Sequence, residues 1–79
     1  MTNIEKYKNS FKEGLEIPVE EAVEGLTMEN CSKWDSIGQM SLIAVLEHNF
    51  DIELEPDEVM AFTSYDAGLE ILKNHNIEL

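Results

Sequence analysis

Apolar residues recur at helical intervals over most of the chain, and the breaks between those stretches fall at Gly, Pro and capping residues. Ile4, Tyr7, Phe11 and Leu15 lie at the spacing of one helix face. Thr2 and Glu5 have capping-box spacing before them, and Gly14 supplies a stop, so the pattern predicts a helix over 2–14. From 36 to 50 the pattern is denser. At 100° per residue, Leu42, Ile43, Leu46 and Phe50 share one arc, which predicts a core-facing side. Ile37, Met40 and Ala44 fall on another arc, beside Ser41, Glu47 and His48. This helix is therefore apolar on two sides, and Asp35 and Ser36 are its candidate N-caps. The second apolar stripe is surplus to a small core and is a candidate docking surface.

Pro56, followed by Asp57 and Glu58, predicts a short helix ending near Ala61. Thr63 and Asp66 frame a further N-terminus, and Tyr65, Leu69 and Leu72 give one face of a last helix ending near Asn74. Residues 15–35 carry no sustained period. Pro18 and Gly25 bracket a possible short helix there, within a long loop anchored by Leu15, Ile17, Val23, Leu26 and Met28. No strand-length alternation competes. The expected fold is all-α: three longer helices, one short helix and a long loop between the first and second.

Length bounds this architecture to one domain over 1–79. A chain of 79 residues buries only about 60% of the surface its unfolded form exposes, so a deep enclosed cleft is not expected. Charge narrows the function more sharply. Five Lys+Arg against 17 Asp+Glu give a formal net charge of −12. There is no Arg, and Lys6, Lys8 and Lys12 cluster near the N-terminus. Nucleic-acid binding needs cations to displace phosphate counterions, so it is not expected, and anionic membranes are disfavoured likewise. A basic protein surface is the natural complement. No apolar run approaches a membrane span, and the first residues show no signal-peptide core. One cysteine, Cys31, makes no internal disulfide and reads as a small buried hydrophobe. The expected location is the cytoplasm, and the expected state a monomer.

Catalytic and metal-binding patterns are missing. His48, His75 and Cys31 lack ligand spacing, and both histidines read as surface residues. A calcium loop starting at Asp51 would need Gly and Glu where Pro56 and Phe62 stand. No Gly-rich phosphate cradle and no serine with an evident base occur. The chain does not read as an enzyme. Ser36 remains: a phosphate ester there would lie among unpaired N–H groups at the positive end of the second helix.

The stretch Trp34-Asp35-Ser36-Ile37-Gly38-Gln39-Met40-Ser41-Leu42-Ile43-Ala44-Val45-Leu46-Glu47-His48-Asn49-Phe50-Asp51-Ile52 resembles an acyl carrier protein. That family's signature is Asp-Ser-Leu, an apolar helix ending in Glu-x-x-Phe, then Asp or Gly. Ile37 replaces the Leu. Glu55-Pro56-Asp57-Glu58-Val59 and Phe62-Thr63-Ser64 are similar to the family's third helix and the start of its fourth. The resemblance runs over essentially the whole chain and implies an acyl-carrier-like four-helix bundle.

It also implies a covalent 4′-phosphopantetheine on Ser36, added from coenzyme A by a separate magnesium-dependent phosphopantetheinyl transferase. Its thiol would hold acyl groups as thioesters. Asp35 would help recruit the transferase. Ile37, Met40, Ala44 and Glu47 would face the transferase and the acyl-loading and acyl-transferring enzymes, which would present basic patches. Leu42, Leu46, Met60, Ala61, Leu69 and Leu72 would line a space for the acyl chain. Gly38, Ser41 and His48 stand where relatives in fatty acid synthesis often have acids, which points to a specialised lipid, polyketide or polysaccharide-modifying pathway. An aminoacyl cargo, D-alanyl-like or peptidyl, stays open. So does a non-covalent acidic adaptor docking through Ile37, Met40 and Ala44.

A charge of −12 on so small a domain is self-repulsive. The melting temperature should therefore rise from low to physiological ionic strength, measured by thermal unfolding at fixed pH; a flat response contradicts this.

Overall fold

The computed structural model describes residues 2–79, and among these the architecture is an all-helical bundle. It comprises α1 (Asn3–Leu15), α2 (Ser36–Phe50), the short α3 (Pro56–Ala61) and α4 (Tyr65–Asn74). A single 3₁₀ turn, Val19–Glu21, interrupts the loop between α1 and α2. Among the described residues no strand forms; one isolated bridge pairs Thr27 with Ser64. Among the described residues no helix is long and apolar enough to cross a membrane.

Local chemistry sets the helix ends. Thr2 and Glu5 form the expected reciprocal box at the start of α1. The side-chain contact holds the Glu5 carboxyl below its ordinary range, with the Thr2 backbone N–H as the main cause. The helix does not stop at Gly14. It runs to Leu15, and Glu16 takes the left-handed turn with φ 57°. Gly14 is instead a packing residue. A Cβ there would lie 2.6 Å from the Leu42 Cα, so its lack of a side chain lets α1 and α2 approach closely. At the end of α2, Asp51 turns left-handed and the Ile52 N–H reaches the Glu47 carbonyl at 3.1 Å. Ser64, not Thr63, caps α4, accepting the Ala67 N–H at 3.0 Å.

The core is built around rings. Phe11 from α1 lies 5.1 Å from Tyr7, 5.4 Å from Trp34, 5.6 Å from Tyr65 and 6.3 Å from Phe62, measured between centroids. The Phe11–Trp34 and Phe11–Tyr7 pairs meet edge to face, the arrangement that brings a positive ring edge onto a negative ring face. Leu42, Ile43 and Leu46 are buried from α2 as their arc predicts, while Phe50 is half-buried at its end.

The loop of 16–35 is irregular but tightly fastened. No α-helix forms between Pro18 and Gly25, and Gly25 sits in a turn with φ 95° rather than closing a helix. Val23 is exposed and anchors nothing; Leu15, Ile17 and Cys31 are buried as expected, Leu26 and Met28 pack against the core, and Ala22 and Trp34 are buried besides. Two backbone hydrogen bonds, Met28 N–H to the Thr63 carbonyl and Tyr65 N–H to the Leu26 carbonyl, fix the loop to the α3–α4 junction. Asn30 closes its own turn by accepting the Thr27 N–H and donating to the Gly25 carbonyl.

Two buried polar ties cross between elements. The Tyr7 hydroxyl donates to the Tyr65 carbonyl at 2.6 Å. Ser10 donates to the Lys6 carbonyl and accepts from the Asn49 amide at 2.9 Å, joining α1 to α2. Burial pushes the Tyr7 phenol far above its ordinary range, with Tyr65 and Asp66 adding to the shift. A raised folded-state value means the unfolded chain loses this proton first as pH rises. Stability tied to Tyr7 is thus intact below about pH 10 and falls above it. Tyr7→Phe should cost about 1 kcal/mol at pH 7 and flatten the loss of stability between pH 9 and 11, as read by urea denaturation. An equal alkaline loss in both proteins would contradict the assignment.

Candidate functional site

The N-terminal end of α2 is where the candidate chemistry gathers. Asp35 is the N-cap: its Oδ1 accepts the Gly38 N–H at 2.8 Å and its carbonyl accepts the Gln39 N–H at 2.8 Å. Ser36 therefore does not cap. It is the first residue of α2, it is exposed, and among the described residues nothing bonds its hydroxyl. With the cap supplied by its neighbour, the Ser36 oxygen has no structural duty.

Gly38 is not part of an exposed face. It is buried, and a Cβ there would run into the Lys33 carbonyl. The chain folds back over the first turn of α2 so closely that only glycine fits. The absence of an acid at this position therefore has a steric cause.

Ile37 is 79% and Met40 74% exposed, and Ala44 is exposed as well. The surplus stripe is thus present, and the long loop does not cover it. Glu47 departs from the expectation that it faces partners. It is half-buried, and its Oε2 accepts the Leu54 N–H at 2.9 Å, fixing the connector between α2 and α3.

The six residues expected around an acyl space do not act as one group. Leu42, Leu46 and Leu72 are fully buried in the core. Met60 is 78% exposed and Ala61 is exposed, because α3 is short and turns only Val59 against the core. Met60 adds to the exposed apolar surface instead. Leu69 is half-buried and belongs to a different feature, a shallow groove of about 580 Å³ on α4 with Lys73, Ile77 and Leu79.

Two residues outside the candidate set organise this region. The Trp34 indole N–H donates to Gln39 Oε1 at 2.6 Å, and Gln39 Nε2 donates to the carbonyls of Val59 at 2.9 Å and Phe62 at 3.0 Å. At 100° per residue Gln39 falls inside the core arc of α2, between Leu46 and Phe50, where a polar side chain needs hydrogen-bond partners. Trp34 lies outside any helix, so no period points to it. Its position just before Asp35-Ser36 is the signal that was available.

The histidines differ. His48 is exposed, whereas His75 is half-buried and its Nε2 meets both oxygens of Glu58 at 2.9 Å. The Glu58 carboxyl is held below its usual range, first by the Glu55 backbone N–H and then by His75. Among the described residues this is the one acid–base contact at ion-pair distance, and no lysine pairs with a carboxylate. Lys8 donates to the Ala22 carbonyl at 2.9 Å and lies over Tyr65, and Lys6 lies over Phe50. Most of the negative charge thus faces solvent without a counterion from the chain. Among the described residues no cluster of His, Cys, Asp and Glu has the form of a metal site.

No protein-family model matches the chain, and no curated protein matches it.

The division of labour between Asp35 and Ser36 is directly measurable. Asp35→Ala should destabilise by about 1 kcal/mol through loss of the cap, whereas Ser36→Ala should fall within about 0.5 kcal/mol of wild type. Equal losses in urea denaturation would place capping on the serine instead.

Proposed function

We propose that this chain is a carrier in which Ser36 is esterified by 4′-phosphopantetheine and the arm presents acyl groups to partner enzymes. The observation that carries the reading is the Ser36 hydroxyl: exposed, unbonded among the described residues, and relieved of capping by Asp35. Esterification replaces the Ser36 O–H bond with an O–P bond. The pyrophosphate P–O bond of coenzyme A breaks, adenosine 3′,5′-bisphosphate leaves, and the serine proton is lost to a base.

The residues fit the group. A phosphodiester on Ser36 would add its charge at the N-terminus of a 15-residue helix, where the dipole favours an anion. When bound, the arm supplies a terminal thiol on which an acyl group is held as a thioester. The chain's own part is to keep Ser36 accessible, to hold the helix start rigid through Asp35 and Gly38, and to offer a surface for docking. The Asp35 Oδ2 has no partner among the described residues, so it is available to the phosphopantetheinyl transferase and its magnesium. Ile37, Met40 and Ala44 supply the apolar contact. The unpaired carboxylates around the molecule suit acyl-loading and acyl-transferring enzymes with basic patches. Tethering itself raises the local concentration of cargo at each enzyme, and the chemistry belongs to those partners. The likeness of residues 34–52 to acyl carrier proteins supports the same reading and a cytoplasmic place of work. An aminoacyl cargo would use the same serine and the same arm.

The exposed Ile37–Met40 stripe also favours a second reading, a non-covalent acidic adaptor that leaves Ser36 unmodified. One experiment separates them. The protein is incubated with coenzyme A, Mg²⁺ and a broad-specificity phosphopantetheinyl transferase, and its intact mass is measured beside Ser36→Ala. One added phosphopantetheine on wild type and none on the variant is the expected result. No addition with several transferases overturns the carrier and leaves the adaptor.

A further inference from the structure

We infer that Gln39 is a positioning residue that latches α3 onto α2, and that α3 swings away as a unit when the latch is broken while α1, α2 and α4 stay folded. The inference rests on the fold alone and is independent of any modification of Ser36.

The chemistry of the three groups dictates the orientation of the Gln39 amide. An indole nitrogen only donates, so it requires the amide oxygen; backbone carbonyls only accept, so they require the amide nitrogen. Gln39 lies between one of the former and two of the latter. Turning the amide over would break all three contacts, so a single orientation satisfies the site. The two carbonyls it reaches, Val59 and the C-cap Phe62, lie at the C-terminal end of α3, where intrahelical donors run out; Val59 also accepts the Phe62 N–H, at a long 3.3 Å. Gln39 is in effect a C-terminal cap delivered from another helix.

Few other contacts hold α3. It is six residues long and none of them is buried. Val59 packs partly against the core, and Glu58 meets His75 beyond the end of α4. The pegs lie outside the helix, at buried Leu54 on one side and buried Phe62 on the other. Leu54 is tied by its N–H to Glu47. A short, unburied helix between two fixed points is the element with the smallest cost of local opening. By contrast, α1 and α2 are joined through the Gly14–Leu42 approach and the Ser10–Asn49 bond. The latch also sets how the two exposed methionines stand to each other. Met40 follows Gln39 in the chain, and Met60 follows Val59.

Two near-isosteric variants test this by amide hydrogen exchange, resolved by residue with NMR on the unmodified protein. Gln39→Met removes both donations, and with them the acceptor of the Trp34 indole, without adding charge. Gln39→Glu keeps an oxygen for Trp34 and places negative charge against the two carbonyls. With the two hydrogen bonds to α3 lost, the amides of Val59, Met60, Ala61 and Phe62 should exchange about thirtyfold faster in Gln39→Met, and faster still in Gln39→Glu. Amides in the middle of α1 and α2 should keep their wild-type rates. Equal acceleration throughout the chain, or loss of folding in both variants, would make Gln39 a general stabilising residue and overturn the latch. Unchanged α3 rates, or α3 amides already unprotected in wild type, would overturn it as well.

Discussion

Everything in this small bundle is assembled against the ring of Phe11. Its four aromatic neighbours come from α1 itself, from the loop before α2, from the α3–α4 junction and from α4. A chain of this size cannot build a thick aliphatic core. Clustered rings bury large areas with few torsions to freeze. They also explain why the long loop is ordered without regular structure. Once Trp34 is seated on Phe11, the residues before it are drawn across the bundle, and the bonds to Leu26 and Thr63 complete their path. The start of α2 follows directly after Trp34, so the aromatic core fixes where Asp35 and Ser36 emerge.

Helix periodicity made most of the fold legible. Tyr7, Phe11, Leu42, Leu46 and Leu72 are core residues by spacing, and each is fully buried. The surplus face of α2 was legible in the same way, since Ile37 and Met40 fall off the core arc and are exposed. What periodicity could not reach lies outside the helices or depends on distant backbone. Ala22, Cys31, Trp34 and Phe62 are buried from segments with no repeat. Gly14 reads as a helix stop and Gly38 as a position where relatives often carry an acid, yet both are sites where another segment passes too close for a side chain. Met60 looked apolar enough for an interior that α3 is too short to supply. Ser36 was legible through its neighbours in the chain, but its freedom from capping emerges only with the Asp35–Gly38 bond in view.

The site and the charge of the molecule make different demands. The first turn of α2 is held by a cap, a close backbone crossing and the Trp34–Gln39 bond, which leaves the serine oxygen unconstrained on a constrained frame. The carboxylates, by contrast, are mostly left to solvent. Glu5, Asp35, Glu47 and Glu58 accept backbone N–H bonds and so serve the fold. The remainder set up a field around the molecule at some cost to its own compactness. Rigidity is thus concentrated at one helix end, while charge is distributed over the whole.

The single tryptophan of the chain is 1% exposed and hydrogen-bonded to Gln39. It stands two residues before Ser36 and beside the ring of Phe62. Indole emission depends on local polarity and hydrogen bonding, so the tryptophan emission of this protein, excited to the red of the Tyr7 and Tyr65 absorption, originates at the junction of loop, α2 and α3. The molecule carries a native optical reporter at the point where its candidate chemistry and its least anchored helix meet, and no dye or label is needed to follow either.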